Sequence, residues 1–170
     1  KHWSPFEMVN VCLEITTTRD IARQILRHRS FSFQEFSQRY ANPLDDLKSV
    51  RREARLQDTK NRQNSIDTDD NALQQSWNGQ QDLVWLAAVK AYNWAIDRGI
   101  AKEQARAVLP EGLIESRVYV NGTLRSWLHY IDLREKNGTQ KEHMEIARAC
   151  ADVITKIFPM GDTYLAPSKR

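Results

Sequence analysis

The chain has 170 residues, 41% of them hydrophobic and five of them Trp, which is enough for one domain with its own core and argues against a disordered segment. No run approaches the roughly 18 apolar residues of a membrane span and no secretory leader is visible, so a cytoplasmic protein is expected. Net charge is only +3, yet residues 19–62 hold eleven Lys/Arg against six Asp/Glu, an excess that suits an anionic small molecule or a nucleic acid equally.

The chain opens at Lys1 inside a motif-like segment, His2-Trp3-Ser4-Pro5-Phe6-Glu7, and we expect one domain over 1–170 lacking its N-terminal portion. Pro5 marks a turn or helix start with Ser4 as a possible N-cap. Met8 to Thr18, rich in Val, Ile and Thr, reads as a strand. Ile21, Ala22, Ile25 and Leu26 then recur at helical spacing, with Arg23 and Arg27 on one flank and Gln24 and His28 on another. From Ser30 to Ser37 the pattern becomes an alternation, which suits an extended segment. Arg27-His28-Arg29 therefore sits where a helix ends, and its cations suit the negative end of the helix dipole. Capping explains none of Glu35, Ser37 or Arg39, nor the four rings Phe31, Phe33, Phe36 and Tyr40 threaded among them. An anionic, planar ligand uses both kinds of residue: guanidinium forks grip oxyanions, and rings stack on a flat heterocycle.

Ala41 to Val50 is turn-rich, Arg51 to Ser65 is charged, and 64–81 is polar and reads as an exposed loop. Asp82 to Arg98, with Leu83, Trp85, Leu86, Val89, Tyr92, Trp94 and Ile96, reads as a core helix stopped at Gly99. A short helix, Lys102 to Leu109, stops at Pro110. Glu115 to Asn121 reads as a strand ended by a turn at Asn121-Gly122. Leu124, Leu128 and Ile131 share a helical face, with Arg125 and His129 four apart beside it. Arg125 and Arg134 are roughly 900° of rotation apart and so on opposite sides. Unless the helix end unwinds, using both takes two sites or one site shared between subunits. From Gln140 an amphipathic helix with Ile146, Cys150, Ile154 and Ile157 packs the core. Cys12 and Cys150 stand in no metal or redox spacing, and His2, His28, His129 and His143 form no zinc pattern. Buried reduced thiols and no metal are expected.

Arg27-His28-Arg29, seven residues, then Ser37, extended as Ser37-Gln38-Arg39-Tyr40, resembles the signature of the flavin-dependent thymidylate synthases. Other segments resemble the same family in order. They are His2-x-Ser4-Pro5-Phe6-Glu7, Arg55-x-Gln57 with Asn61-Arg62-Gln63-x-Ser65, and Glu103-x-Ala105-Arg106-x-x-Leu109-Pro110. Arg125-Ser126 with Leu133-Arg134 makes a further match. The chain departs from common members at His129, where many carry Asn, and at Gly138, where many carry a flavin-contacting His.

The resemblance implies an α+β fold, a twisted mixed sheet with helices packed around it, in a homotetramer with shared active sites. It implies FAD as cofactor, dUMP and methylenetetrahydrofolate as substrates, NADPH as reductant and dTMP as product. For dUMP it implies Gln24, Arg27, Glu35, Phe36, Ser37, Gln38, Arg39, Arg106 and Arg134. Arg39 and Arg106 clamp the phosphate, Arg106 reaching a neighbouring subunit's nucleotide, and Arg134 activates the pyrimidine. For FAD it implies Ser4, Arg27, His28, Arg29, Glu35, Arg125 and His129. Two alternatives stay open: a nucleic-acid-binding module of basic and aromatic residues, and a truncated homologue that binds nucleotide without turnover. Glu35, Asp45 and Asp46 in the basic region count against the first, and no nucleic acid or membrane partner is expected.

Overall fold

The structure, a computed structural model, describes residues 2–136 and 138–159. After a 3-10 turn at Ser4–Met8 the chain runs through β1 (Asn10–Thr18), α1 (Arg19–Ile25), β2 (Ser32–Glu35) and α2 (Pro43–Asp46). It continues through β3 (Arg55–Gln57), β4 (Ser65–Asp67), α3 (Asn71–Asp97) and α4 (Lys102–Ala105), then β5 (Glu115–Thr123), α5 (Leu124–Arg134) and α6 (Lys141–Ile157). One sheet has the order β1-β5-β2, and β3 with β4 forms a separate hairpin. The fold is α+β as expected, but among the described residues every strand pair is antiparallel, so the sheet is not mixed in direction. Of the domain expected over 1–170, Lys1, Asn137 and 160–170 lie outside the described residues. No helix among the described residues is long and apolar enough to cross a membrane.

The main core follows from a period of two. In β5, Ser116, Val118, Val120 and Gly122 are buried, while Arg117, Tyr119 and Asn121 between them are exposed. Antiparallel pairing sets Ile15 against Val118 and Leu13 against Val120. Helices α1, α5 and α6 cover that row with Ile21, Ile25, Trp127, Ile131 and Ile154. The Trp127 indole donates to the Val11 carbonyl at 3.0 Å, fastening α5 to β1. A second cluster joins Tyr92 and Ala95 of α3 to Ala105, Leu109 and Ile114.

Several expectations give way here. First, Asn121-Gly122 does not end the strand: β5 runs on to Thr123. Gly122 is needed for close approach, since a Cβ there would stand 2.4 Å from a Phe31 ring carbon. Second, the polar stretch 64–81 is β4 followed by the first turns of the 27-residue α3. Asp70 caps that helix by accepting from the Leu73 amide at 3.0 Å. Gln74 and Gln81, two turns apart, then read the backbone of 52–54 as a strand would. Each accepts from an amide (Ala54 at 2.7 Å, Arg52 at 2.8 Å) and returns a bond to the same residue's carbonyl at 2.9 Å. Third, the apolar stretch of α3 is core only in part: Tyr92 is buried, but Leu83, Leu86 and Trp94 are 64%, 64% and 53% exposed. Of the thiols, Cys150 is buried as expected and Cys12 is exposed on the outer row of β1.

Candidate functional site

Helix α1 ends by local means, the His28 amide bonding back to the Ile25 carbonyl at 3.0 Å. The turn that follows splits the Arg-His-Arg run. Arg27 and Arg29 are exposed, and among the described residues neither guanidinium has a hydrogen bond or ion pair. His28 turns inward, edge-on to Tyr130 at a 4.9 Å ring separation. Its Nε2 accepts a bond from Arg134 Nε at 3.0 Å, which requires that nitrogen to be unprotonated. Burial, then the adjacent Arg134 charge, pushes the His28 pKa down and keeps the ring neutral.

Behind this contact lies a directed chain of hydrogen bonds. Buried His143 has Nδ1 3.2 Å from Gln24 Oε1 and Nε2 3.1 Å from the Tyr130 hydroxyl. An amide oxygen only accepts, so Nδ1 carries the proton and Nε2 accepts from Tyr130. Gln24 Nε2 then donates to Gln140 at 2.8 Å, and Gln140 Nε2 donates to Glu142 at 2.9 Å. Glu142 ends the chain between Arg52, at 3.3 Å, and Arg55. Burial, then Arg134 and His28, lowers the His143 pKa to about 4. Gln24 is thus fixed with its oxygen inward and its amino group toward Gln140.

A second group gathers after β2. Glu35 accepts from the buried Ser116 hydroxyl at 2.9 Å and lies 3.6 Å from Arg19. Phe36 packs on the second core cluster. Ser37 Oγ accepts from the Arg39 amide at 3.4 Å. Gln38 is 3% exposed, and its buried Nε2 has no hydrogen-bond partner. Arg39 pairs with the Glu103 carboxylate at 3.3 Å, and Arg106 Nε donates to the Glu103 carbonyl at 3.3 Å. The two expected clamp residues therefore converge on one residue.

The third group lies where the N-terminal turn packs on α5. Trp3 holds the cap position and Ser4 is the first residue of the turn, so Ser4 caps nothing. Arg125 pairs with Glu7 at 3.0 Å, and the His129 ring stacks on Trp3 with centroids 5.2 Å apart. Gly138 has φ +97, a conformation that a histidine would rarely adopt.

The structure thus unites Gln24, His28 and Arg134, and separately Glu35 to Arg39 with Arg106, and separately again Ser4, Arg125 and His129. Among the described residues no hydrogen bond, ion pair or ring contact joins one group to another. Sequence reasoning missed Tyr130, Gln140 and His143. They stand on helices read only for their apolar faces, and the sole available signal was a histidine at a core-facing position.

A family model described as thymidylate synthase complementing protein matches residues 1–160. The chain is 51% identical to the flavin-dependent thymidylate synthase of Synechocystis sp. over 93% of this chain and 72% of that protein. It is 48% identical to a probable flavin-dependent thymidylate synthase of Paramecium bursaria Chlorella virus 1, over 94% of this chain and 72% of the viral protein. A Thermus thermophilus protein named flavin-dependent thymidylate synthase is 32% identical over 95% of this chain and 58% of its own length. With the signature, both arginine segments and their order retained in a fold that brings His28 against Arg134, the chain belongs to the thymidylate synthase complementing protein family.

Proposed function

We propose that the chain is a flavin-dependent thymidylate synthase that converts dUMP to dTMP in the cytoplasm. Methylenetetrahydrofolate gives the one-carbon unit and NADPH the reducing equivalents. The observation that carries this reading is the 3.0 Å bond from Arg134 to His28, which joins the signature to an arginine 106 residues away.

The residues fit a flavin. Arg27 and Arg29 offer solvent-facing guanidinium groups beside the ring-lined wall of His28 and Phe31, suited to phosphate oxygens and to the anionic reduced ring. Ser4, Glu35, Arg125 and His129 complete the set that would hold it. When bound, the flavin supplies the hydride. The dUMP phosphate carries nearly two charges and falls to Arg39 and Arg106, displacing the Glu103 carboxylate from Arg39. Gln24, Arg27, Glu35, Phe36, Ser37 and Gln38 position sugar and base, and the unpartnered Gln38 amide gains an acceptor. Arg134 faces the pyrimidine with the guanidinium nitrogens that His28 leaves free, and stabilises the charge that grows as C5 becomes nucleophilic.

A homotetramer with shared sites fits the three separate groups and the exposed Leu83, Leu86 and Trp94 of α3, since an apolar helix face of this kind is normally covered by another subunit. The test is tritium release from dUMP labelled at C5, with FAD, methylenetetrahydrofolate and NADPH supplied. Release that stops when FAD is withheld is expected. A folded, FAD-loaded protein that releases none overturns the reading.

A further inference from the structure

None of the roles assigned above falls to the segment Arg55-x-Gln57 with Asn61-Arg62-Gln63-x-Ser65. It folds as the β3–β4 hairpin, whose loop its own side chains hold. Gln57 Nε2 donates to the carbonyls of Asp58, Arg62 and Asn64 at 3.1, 3.3 and 3.2 Å. Asp58 Oδ1 accepts from the Lys60 and Asn61 amides at 2.7 and 3.1 Å. Gln57 and Asp58 are thereby accounted for as structure; Arg55 and Arg62 are not.

Those two arginines, with Lys141 and Arg148 of α6, line a cleft of about 570 Å3 in which the lining carboxylate is Asp67. Lys141 is neutralised locally, by Glu53 at 2.7 Å and Asp67 at 3.1 Å. Arg55 shares Glu142 with Arg52 and lies 3.8 Å from Glu53, yet its buried Nη1 has no hydrogen-bond partner. Among the described residues the Arg62 and Arg148 guanidinium groups have no ion pair. An oxyanion in the cleft would pair the two free cations of Arg62 and Arg148. The position is informative too. Gln140 lines the cleft and also accepts from Gln24 at 2.8 Å, so the cleft adjoins the residues assigned to the nucleotide.

We propose that this cleft is an anion subsite for the charged tail of a cosubstrate, the carboxylates of the folate or the 2′-phosphate of NADPH. Guanidinium forks suit both oxyanions. The proposal rests on the thymidylate synthase reading. The test is titration of the FAD-loaded full chain, wild type and Arg62→Ala/Arg148→Ala, with methylenetetrahydrofolate carrying one or five glutamates and with NADPH or NADH. Either the pentaglutamate form or NADPH should bind roughly tenfold more weakly to the variant, the scale of one charge-assisted hydrogen bond. Its less charged counterpart should change less than about twofold, and Arg62→Lys/Arg148→Lys should restore most of the loss. A shift in the pentaglutamate arm identifies carboxylate, and one in the NADPH arm identifies phosphate. If both arms stay within about twofold while dUMP and FAD bind normally, there is no subsite. Should the double variant lose FAD, Arg148→Ala alone repeats the measurement from an exposed helix position. A wild type that releases no tritium from labelled dUMP sinks the thymidylate synthase reading separately, because these titrations need no turnover.

Discussion

In the proposed reaction Arg39 and Arg134 meet charge at different moments. The phosphate is already charged on free dUMP, so Arg39→Ala should raise KM and weaken direct dUMP binding while kcat changes little. Charge near Arg134 grows only as the ring is activated, so Arg134→Ala should lower kcat by about 10²–10³, the usual cost of removing one such donor. Near-normal kcat at saturating dUMP would make Arg134 a second clamp residue instead. His143 sets a pH limit. Its pKa falls from 6.5 to about 4 on folding, through burial first, then the Arg134 charge and the neighbouring His28. The unfolded chain therefore binds the extra proton first, and stability drops as pH falls from about 6.5 toward 4. His28, also lowered, adds a loss that begins at the same upper end, and Glu142, lowered in spite of burial by its amide, arginine and Gln140 partners, extends the loss further into acid. Urea midpoints measured across that range should flatten in His143→Gln; an unchanged slope would mean that His143 is not held neutral.

Strand β5 and helix α3 show where sequence patterns carry information. Alternation revealed β5 because one face packs on helices and the other meets solvent, but the Asn-Gly pair misled. Gly122 answers a ring 2.4 Å from its missing Cβ rather than a chain reversal. Gly122→Ala should lower stability by roughly 1–3 kcal/mol through overpacking against Phe31, read as a drop in Tm. An unchanged Tm would show that the ring yields freely. In α3 the apolar half was legible and the polar half was not, because Gln74 and Gln81 hold it by amide bonds that leave no hydrophobic period. The same limit hid the His143 chain. Cation and ring types pointed to the ligand class, but the split of Arg27, His28 and Arg29 between solvent and interior depends on a tertiary partner, Arg134, far along the chain.

At the scale of the whole molecule, the separation of the three groups predicts complementation. At subsaturating dUMP, an Arg106→Ala chain mixed with an Arg134→Ala chain should regain part of the tritium release that each lacks, since some hybrid sites carry both native arginines. A mixture as inactive as its parents, after exchange has been demonstrated, would argue for sites complete within one chain. The placement of the two cysteines supplies the means to demonstrate it. Cys12 stands exposed on β1, whereas Cys150 is enclosed and its thiol is pushed up to about 12 by burial, which leaves it almost wholly unreactive near neutral pH. A maleimide dye should therefore attach once per chain, and donor- and acceptor-labelled populations would time the trading of partners by energy transfer with no engineered handle.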